Sequence, residues 1–146
     1  MKTASITLLC LLLSGTMPMV SAQEATRTPA DLTTVTLTGY LVDVMCGNAI
    51  AKKSNPMTKA ARHTRACALA EACAAEGYGM YADGSWIRFD EKGNALANAA
   101  LKEDDRSRDL YFRVLGRYDG KTLAVISIEP LPAPDSKGAS GGGAPR

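Results

Sequence analysis

The stretch Thr34-Val-Thr-Leu-Thr-Gly-Tyr-Leu-Val-Asp-Val44 alternates Thr and β-branched residues with apolar ones, the pattern of a half-buried strand. Val35 and Leu37 set the apolar phase, Gly39 changes it, and Leu41 and Asp43 follow. A glycine inside a strand marks a bulge or a sharp bend. A first strand that bends midway can serve two sheets, as it does in a small Greek-key barrel of the OB type.

Downstream, Asn55-Pro56 opens an Ala-rich stretch that runs to Glu76. Asn as N-cap with Pro at the first helical position is a strong start signal, and Gly77 is a natural residue just past the end. The pattern predicts one long helix, with Ala66, Leu69, Ala70 and Cys73 on a single face. Tyr78–Met80 and Ser85–Phe89 read as short strands around an Asp83-Gly84 turn. Asp90–Gly93 reads as another turn, Asn94–Lys102 as a short helix and Asp105–Asp109 as a charged connection. Leu110–Tyr118 and Thr122–Ile128 form a closing antiparallel hairpin about Asp119-Gly120. The expected fold class is α+β or mostly β. It is a five-stranded OB-like barrel, or a curved antiparallel sheet, carrying one long Ala-rich helix and one short helix.

The ends of the chain read differently. Lys2, the apolar run Ile6–Leu13, the helix-breaking Pro18 and Val20-Ser21-Ala22 make residues 1–22 a secretory signal peptide cut before Gln23. Ser14, Gly15, Thr16 and Pro18 interrupt that run too early for a membrane anchor. Residues 23–32 form a polar tether holding Pro29, and 132–146 form a Gly/Pro/Ser tail too poor in apolar residues to order itself. The OB-like domain is therefore 33–131, a common size for one domain. The chain of 146 residues carries a formal net charge of +2, so no global field calls for nucleic acid or an anionic membrane. No later run is apolar for long enough to span a bilayer, which makes the mature chain an expected periplasmic or extracellular protein.

Loss of the leader removes Cys10 and leaves Cys46, Cys67 and Cys73, an odd number in an oxidising compartment. With Asp43 and His63, the only histidine, they are the one group of chemically capable residues. Thiolate and imidazole are ligands for zinc or copper, which makes Cys46, His63, Cys67 and Cys73 the candidate metal set. On a continuous helix His63 and Cys67 lie one turn apart on one face, whereas Cys73 lies about 9 Å beyond Cys67. Cys67 and Cys73 then cannot bond to each other. Cys46 is expected to bridge to Cys73, which shares the apolar face, with Cys67 as the alternative partner. Such a bridge closes roughly 20 to 27 residues and contributes about 3 kcal/mol. The bland reading, a structural disulfide plus one inert buried cysteine, stands ahead of the metal site, and redox chemistry or an intermolecular bridge follows it.

Lys52, Lys53, Lys59, Arg62 and Arg65 follow one another with no acid between residues 44 and 70. They form either an anion-facing patch or a solvated helix face. Their charge also lowers the pKa of a nearby thiol, so a thiol-based redox protein using Cys67, activated by His63, is the alternative function. No Cys-x-x-Cys, no covalent haem motif, no nucleophile elbow and no phosphate loop is present, so no catalytic residues are assigned.

Gly39-Tyr-Leu-Val-Asp-Val-Met-Cys46, the Cys/His-bearing Ala-rich segment, Gly77-Tyr-Gly, Ala82-Asp-Gly and Val114-Leu-Gly…Asp119-Gly…Ile126-Ser-Ile128 recur in that order. In these features the chain resembles a group of small exported bacterial proteins of unknown function, many from soil bacteria. Those proteins pair an early Asp-x-x-Cys with later helical cysteines and end in an OB-like strand pair. The resemblance covers most of 33–131 and implies export and this fold. The expected function is an exported, non-enzymatic binding or interaction module for an unknown small ligand, metal or protein.

Overall fold

The computed structural model describes residues 32–134. The expected leader at 1–22, the tether before Leu32 and the tail from 135 onward lie outside the described residues. In chain order the elements are β1 (Thr33–Asp43), α1 (Val44–Ile50), α2 (Pro56–Ala61), α3 (Arg65–Ala68), α4 (Glu71–Ala75) and β2 (Tyr78–Ala82). Then come β3 (Ser85–Phe89), α5 (Glu91–Glu103), β4 (Tyr111–Tyr118) and β5 (Thr122–Pro130).

The five strands form one mixed sheet whose hydrogen bonds run in a ring, β1-β2-β3-β5-β4 and back to β1. Every pairing is antiparallel except the short parallel contact of Arg88 and Phe89 on β3 with Thr122 and Leu123 on β5. The first strand does serve two partners. Thr33 to Tyr40 pair with β4, and Tyr40 to Asp43 pair with β2. The exchange falls at Gly39-Tyr40, where a Cβ on residue 39 would lie 2.0 Å from the Tyr81 carbonyl oxygen. Only glycine admits that approach without a shift of backbone.

The expected change of phase at Gly39 does not occur. Val35, Leu37 and Leu41 all pack on the same core, with Met80, Phe89, Phe112, Val114, Leu123 and Val125. What changes is the other face. Beyond Gly39 it too is covered, and Tyr40 and Val42 are buried with Ala60 and Tyr81 beneath α1 and α2. The β2–β3 turn is as read, with Asp83 and Gly84 both at positive φ.

The long helix over 55–76 is corrected to three short ones, α2, α3 and α4. Alanine content favours helix everywhere in this stretch, but two carbonyls find other donors. The Ala61 carbonyl, which a continuing helix would give to Arg65, accepts from Asp109 N–H at 3.0 Å. Arg65 N–H donates instead to the Ser107 carbonyl at 3.0 Å, and Thr64 restarts the chain as an N-cap accepting from Cys67 N–H. Likewise the Ala68 carbonyl accepts the Tyr78 hydroxyl at 3.1 Å, and Ala70 is extended. Tertiary partners thus override a local preference worth only tenths of a kcal/mol per residue.

Helix α5 begins three residues before the expected Asn94. Asp90 is its N-cap, accepting from Gly93 N–H at 2.8 Å and from Val125 N–H at 3.1 Å. Ala97 and Leu101 on α5 are fully buried in the main core. Among the described residues no helix is long and apolar enough to cross a membrane.

Arg106 ties the segment before β4 to the end of β5. It forms a bidentate pair with Asp104 and donates to the carbonyls of Asp109 and Leu131. The guanidinium hydrogen bond holds the Asp104 carboxyl below its ordinary range, outweighing burial. A carboxyl depressed in the folded state stabilises above its unfolded pKa and loses that effect as pH falls through the folded value. Asp104→Asn is expected to cost about 2 kcal/mol at neutral pH. Denaturant titrations should show the gap to wild type closing in acid, and a gap that persists there would remove the carboxylate charge as its source.

Candidate metal centre

Asp43 is the last residue of β1 and the N-cap of α1, a helix in a stretch to which the sequence pattern had assigned no element. Its Oδ1 accepts from Cys46 N–H at 2.8 Å, so the Asp-x-x-Cys spacing is a helix cap. The other oxygen, Oδ2, points away from the cap. Gly47 lets α1 lie on the Trp86 ring, since a Cβ there would fall 2.2 Å from a ring carbon. Tyr81 O–H donates to the Gly47 carbonyl at 2.7 Å and fixes the helix to the sheet.

His63 sits in the break between α2 and α3, and Cys67 lies on α3. The break brings both against Asp43. The four donor atoms of Asp43, Cys46, His63 and Cys67 all lie within 4.8 Å of one another. Asp43 is 0% and His63 8% exposed, while both sulfurs are half-buried. His63 Nε2 stands 2.9 Å from Asp43 Oδ2, an ion-pair distance, yet the approach lacks hydrogen-bond geometry. Asp43 Oδ2 and both His63 nitrogens are therefore buried with no hydrogen-bond partner. Cys46 Sγ and Cys67 Sγ are 3.8 Å apart, and all three cysteines among the described residues are free thiols.

No protein-family model, curated protein or solved structure matches the chain. The site therefore rests on its own geometry and electrostatics. Burial raises the Asp43 carboxyl, but His63 and the Cys46 N–H together outweigh it and hold the group below its ordinary range. Burial, Asp43 and Cys67 push the Cys46 thiol up to about 12. Burial, Asp43 and Cys67 raise Cys73 as well.

Cys73, on α4, adjoins this group but is not one of the four converging donors. Its expected pairing with Cys46 assumed an unbroken helix. With the helix divided, the sulfur beside Cys46 is that of Cys67. Asp43 takes the fourth place that the sequence had given to Cys73. Asp43 was already in the chemically capable group, as an acid closing an apolar strand three residues before a cysteine, but it was not counted as a ligand.

Of the basic residues, Lys52, Lys53, Lys59 and Arg62 are exposed and Arg65 is half-buried, and among the described residues none forms an ion pair. Arg65 lines a cleft with Thr64, Ser107 and Arg108, beside the four donors but not among them.

Proposed function

We propose that this chain is an exported, non-enzymatic module that binds one soft metal ion through Asp43, Cys46, His63 and Cys67, with zinc favoured over copper. The observation that carries the reading is the convergence of four donors within 4.8 Å of one another, in which Asp43 Oδ2 and both His63 nitrogens are buried and make no hydrogen bond, with only the 2.9 Å approach of Nε2 to Oδ2 between them. Buried polar atoms without partners are rare, and an ion is one of the few things that explains them. Two thiolates on a tetrahedral zinc at about 2.3 Å stand about 3.8 Å apart, and the two sulfurs are 3.8 Å apart. Imidazole and carboxylate on the same ion would stand about 3.4 Å apart. The present 2.9 Å asks them to part slightly.

Mixed thiolate, imidazole and carboxylate donors suit zinc, whereas copper(I) would prefer the sulfurs and drop Asp43. Four protein ligands leave no open position for a substrate, which favours a structural or carrier role over catalysis. The ring order β1-β2-β3-β5-β4, with its parallel β3–β5 contact, supports an OB-like barrel as the scaffold. The resemblance to small exported bacterial proteins and the leader-like first 22 residues support export.

The competing reading is a redox protein in which His63 activates Cys67, favoured by the clustering of thiols beside an imidazole. It predicts enzymatic turnover of a dithiol or disulfide. The metal reading predicts none. It predicts instead about one equivalent of zinc bound by the reduced full chain, lost in Cys67→Ser and His63→Ala and kept in Cys73→Ser. Metal analysis after gel filtration decides it, and a reduced protein that retains no zinc would end the metal reading.

A further inference from the structure

The same two sulfurs can serve either a metal or each other, but not both. At 3.8 Å, Cys46 Sγ and Cys67 Sγ are too far apart for a bond of about 2.05 Å. They are nonetheless in contact, and both residues are half-buried and not sealed from solvent. The other two donors are also matched to each other. His63 Nε2 and Asp43 Oδ2 already stand at 2.9 Å, closer than a shared ion would hold them. The donor set therefore divides into two close pairs once the ion is gone: sulfur with sulfur, and imidazole with carboxylate.

We propose that this centre is gated by thiol oxidation, so that forming a Cys46–Cys67 bridge expels the metal. The inference rests on the metal reading above. The oxidant is a low-molecular-weight disulfide, RSSR. One cysteine sulfur attacks it, making a mixed disulfide and releasing RS⁻, and the second cysteine sulfur displaces the other RS⁻. Two electrons pass from the cysteine sulfurs to the reagent, which leaves as two RSH. With zinc bound, the two protons come from solvent and Zn²⁺ departs. Without it, they come from the two thiols. Asp43 and His63 alone are two donors where zinc takes four, so the ion is not retained. Cys73 takes no part and remains the one free thiol among the described residues, which gives their odd cysteine count a physical reading.

The test uses the full chain, reduced, loaded with about one equivalent of zinc and titrated with oxidised glutathione. Released zinc is followed with a colorimetric chelator, thiols are counted, and the bridge is mapped by peptide mass. The expected result is one zinc released for every two thiols lost, a Cys46–Cys67 peptide pair, and Cys73 left as a thiol, with Cys10 a second one wherever the first 22 residues are still attached. Cys73→Ser should release zinc with the same course. Zinc retained by the bridged protein overturns the gate while leaving the metal reading intact, and so does a bridge that includes Cys73. A reduced protein that takes up no zinc overturns both. Cys46→Ser removes the bridge, but because it also removes a ligand, the peptide map of the wild-type chain is the deciding measurement.

Discussion

Zinc added to the reduced, metal-free protein at about a thousandfold over its Kd raises the unfolding free energy by about 4 kcal/mol. For a domain of about a hundred residues that moves Tm up by roughly 15–30 °C. The rise disappears in Cys67→Ser and His63→Ala, each compared with its own metal-free melting, and a chelator reverses it. The effect also has a definite pH dependence. The Cys46 thiol, pushed up to about 12, is protonated at neutral pH and gives its proton up when it ligates. On that account alone, affinity weakens about tenfold for each unit of pH lowered, and the thermal shift shrinks with it. Scanning calorimetry from about pH 8 down to about pH 6 reads this directly. A zinc-induced rise that stays constant across that range would show that the thiols are not ligands.

Gly39→Ala carries the second large effect. The new methyl falls 2.0 Å from the Tyr81 carbonyl oxygen, at the point where β1 leaves β4 for β2. The three nearest atoms, the Tyr81 carbonyl oxygen and carbon and the Ala82 Cα, are all backbone, so no side-chain rotation relieves the clash. We expect a loss of about 3 kcal/mol and a fall in Tm of roughly 10–25 °C. Gly84→Ala is the control. Gly84 has φ +77 with nothing within 4 Å of its Cβ position, so its cost is conformational alone, about 1 kcal/mol. Guanidinium denaturation of the two variants separates close approach from backbone strain. Equal costs would mean that the crossing at Gly39 relaxes and does not fix the ring.

The strands were legible because each carries a local pattern that its surroundings agree with. The Thr/Val alternation of β1, the Asp83-Gly84 and Asp119-Gly120 turns and the closing hairpin all stand where the sequence suggests. The helices were less so. Between Asn55 and Glu76 almost every local signal favours one helix, and the breaks come from Asp109, Ser107 and Tyr78, which are remote in sequence. Inside the segment only Thr64, a residue suited to an N-cap, hints at the first of them. The site inherits that limit. His63, Cys46 and Cys67 were recognisable by chemistry, but the exchange of Cys73 for Asp43 follows from where α3 ends. Asp43 stood in the chemically capable group from the start but outside the ligand set, because it also ends a strand and caps a helix.

All four converging donors lie between residues 43 and 67, on the connection from β1 to β2. The two ends of that connection are neighbours in the sheet. Asp43 pairs with Tyr78, and Val44 N–H donates to the Gly77 carbonyl at 2.9 Å. The excursion thus leaves and re-enters the ring at one spot, like a side loop on a closed track, and its length adds little to the cost of closing it. Scaffold and site are therefore separable inheritances. The ring can persist in descendants that shorten the excursion and lose the donors. Other descendants can keep the ring and rebuild the excursion around a different set of ligands, leaving every strand pairing as it is.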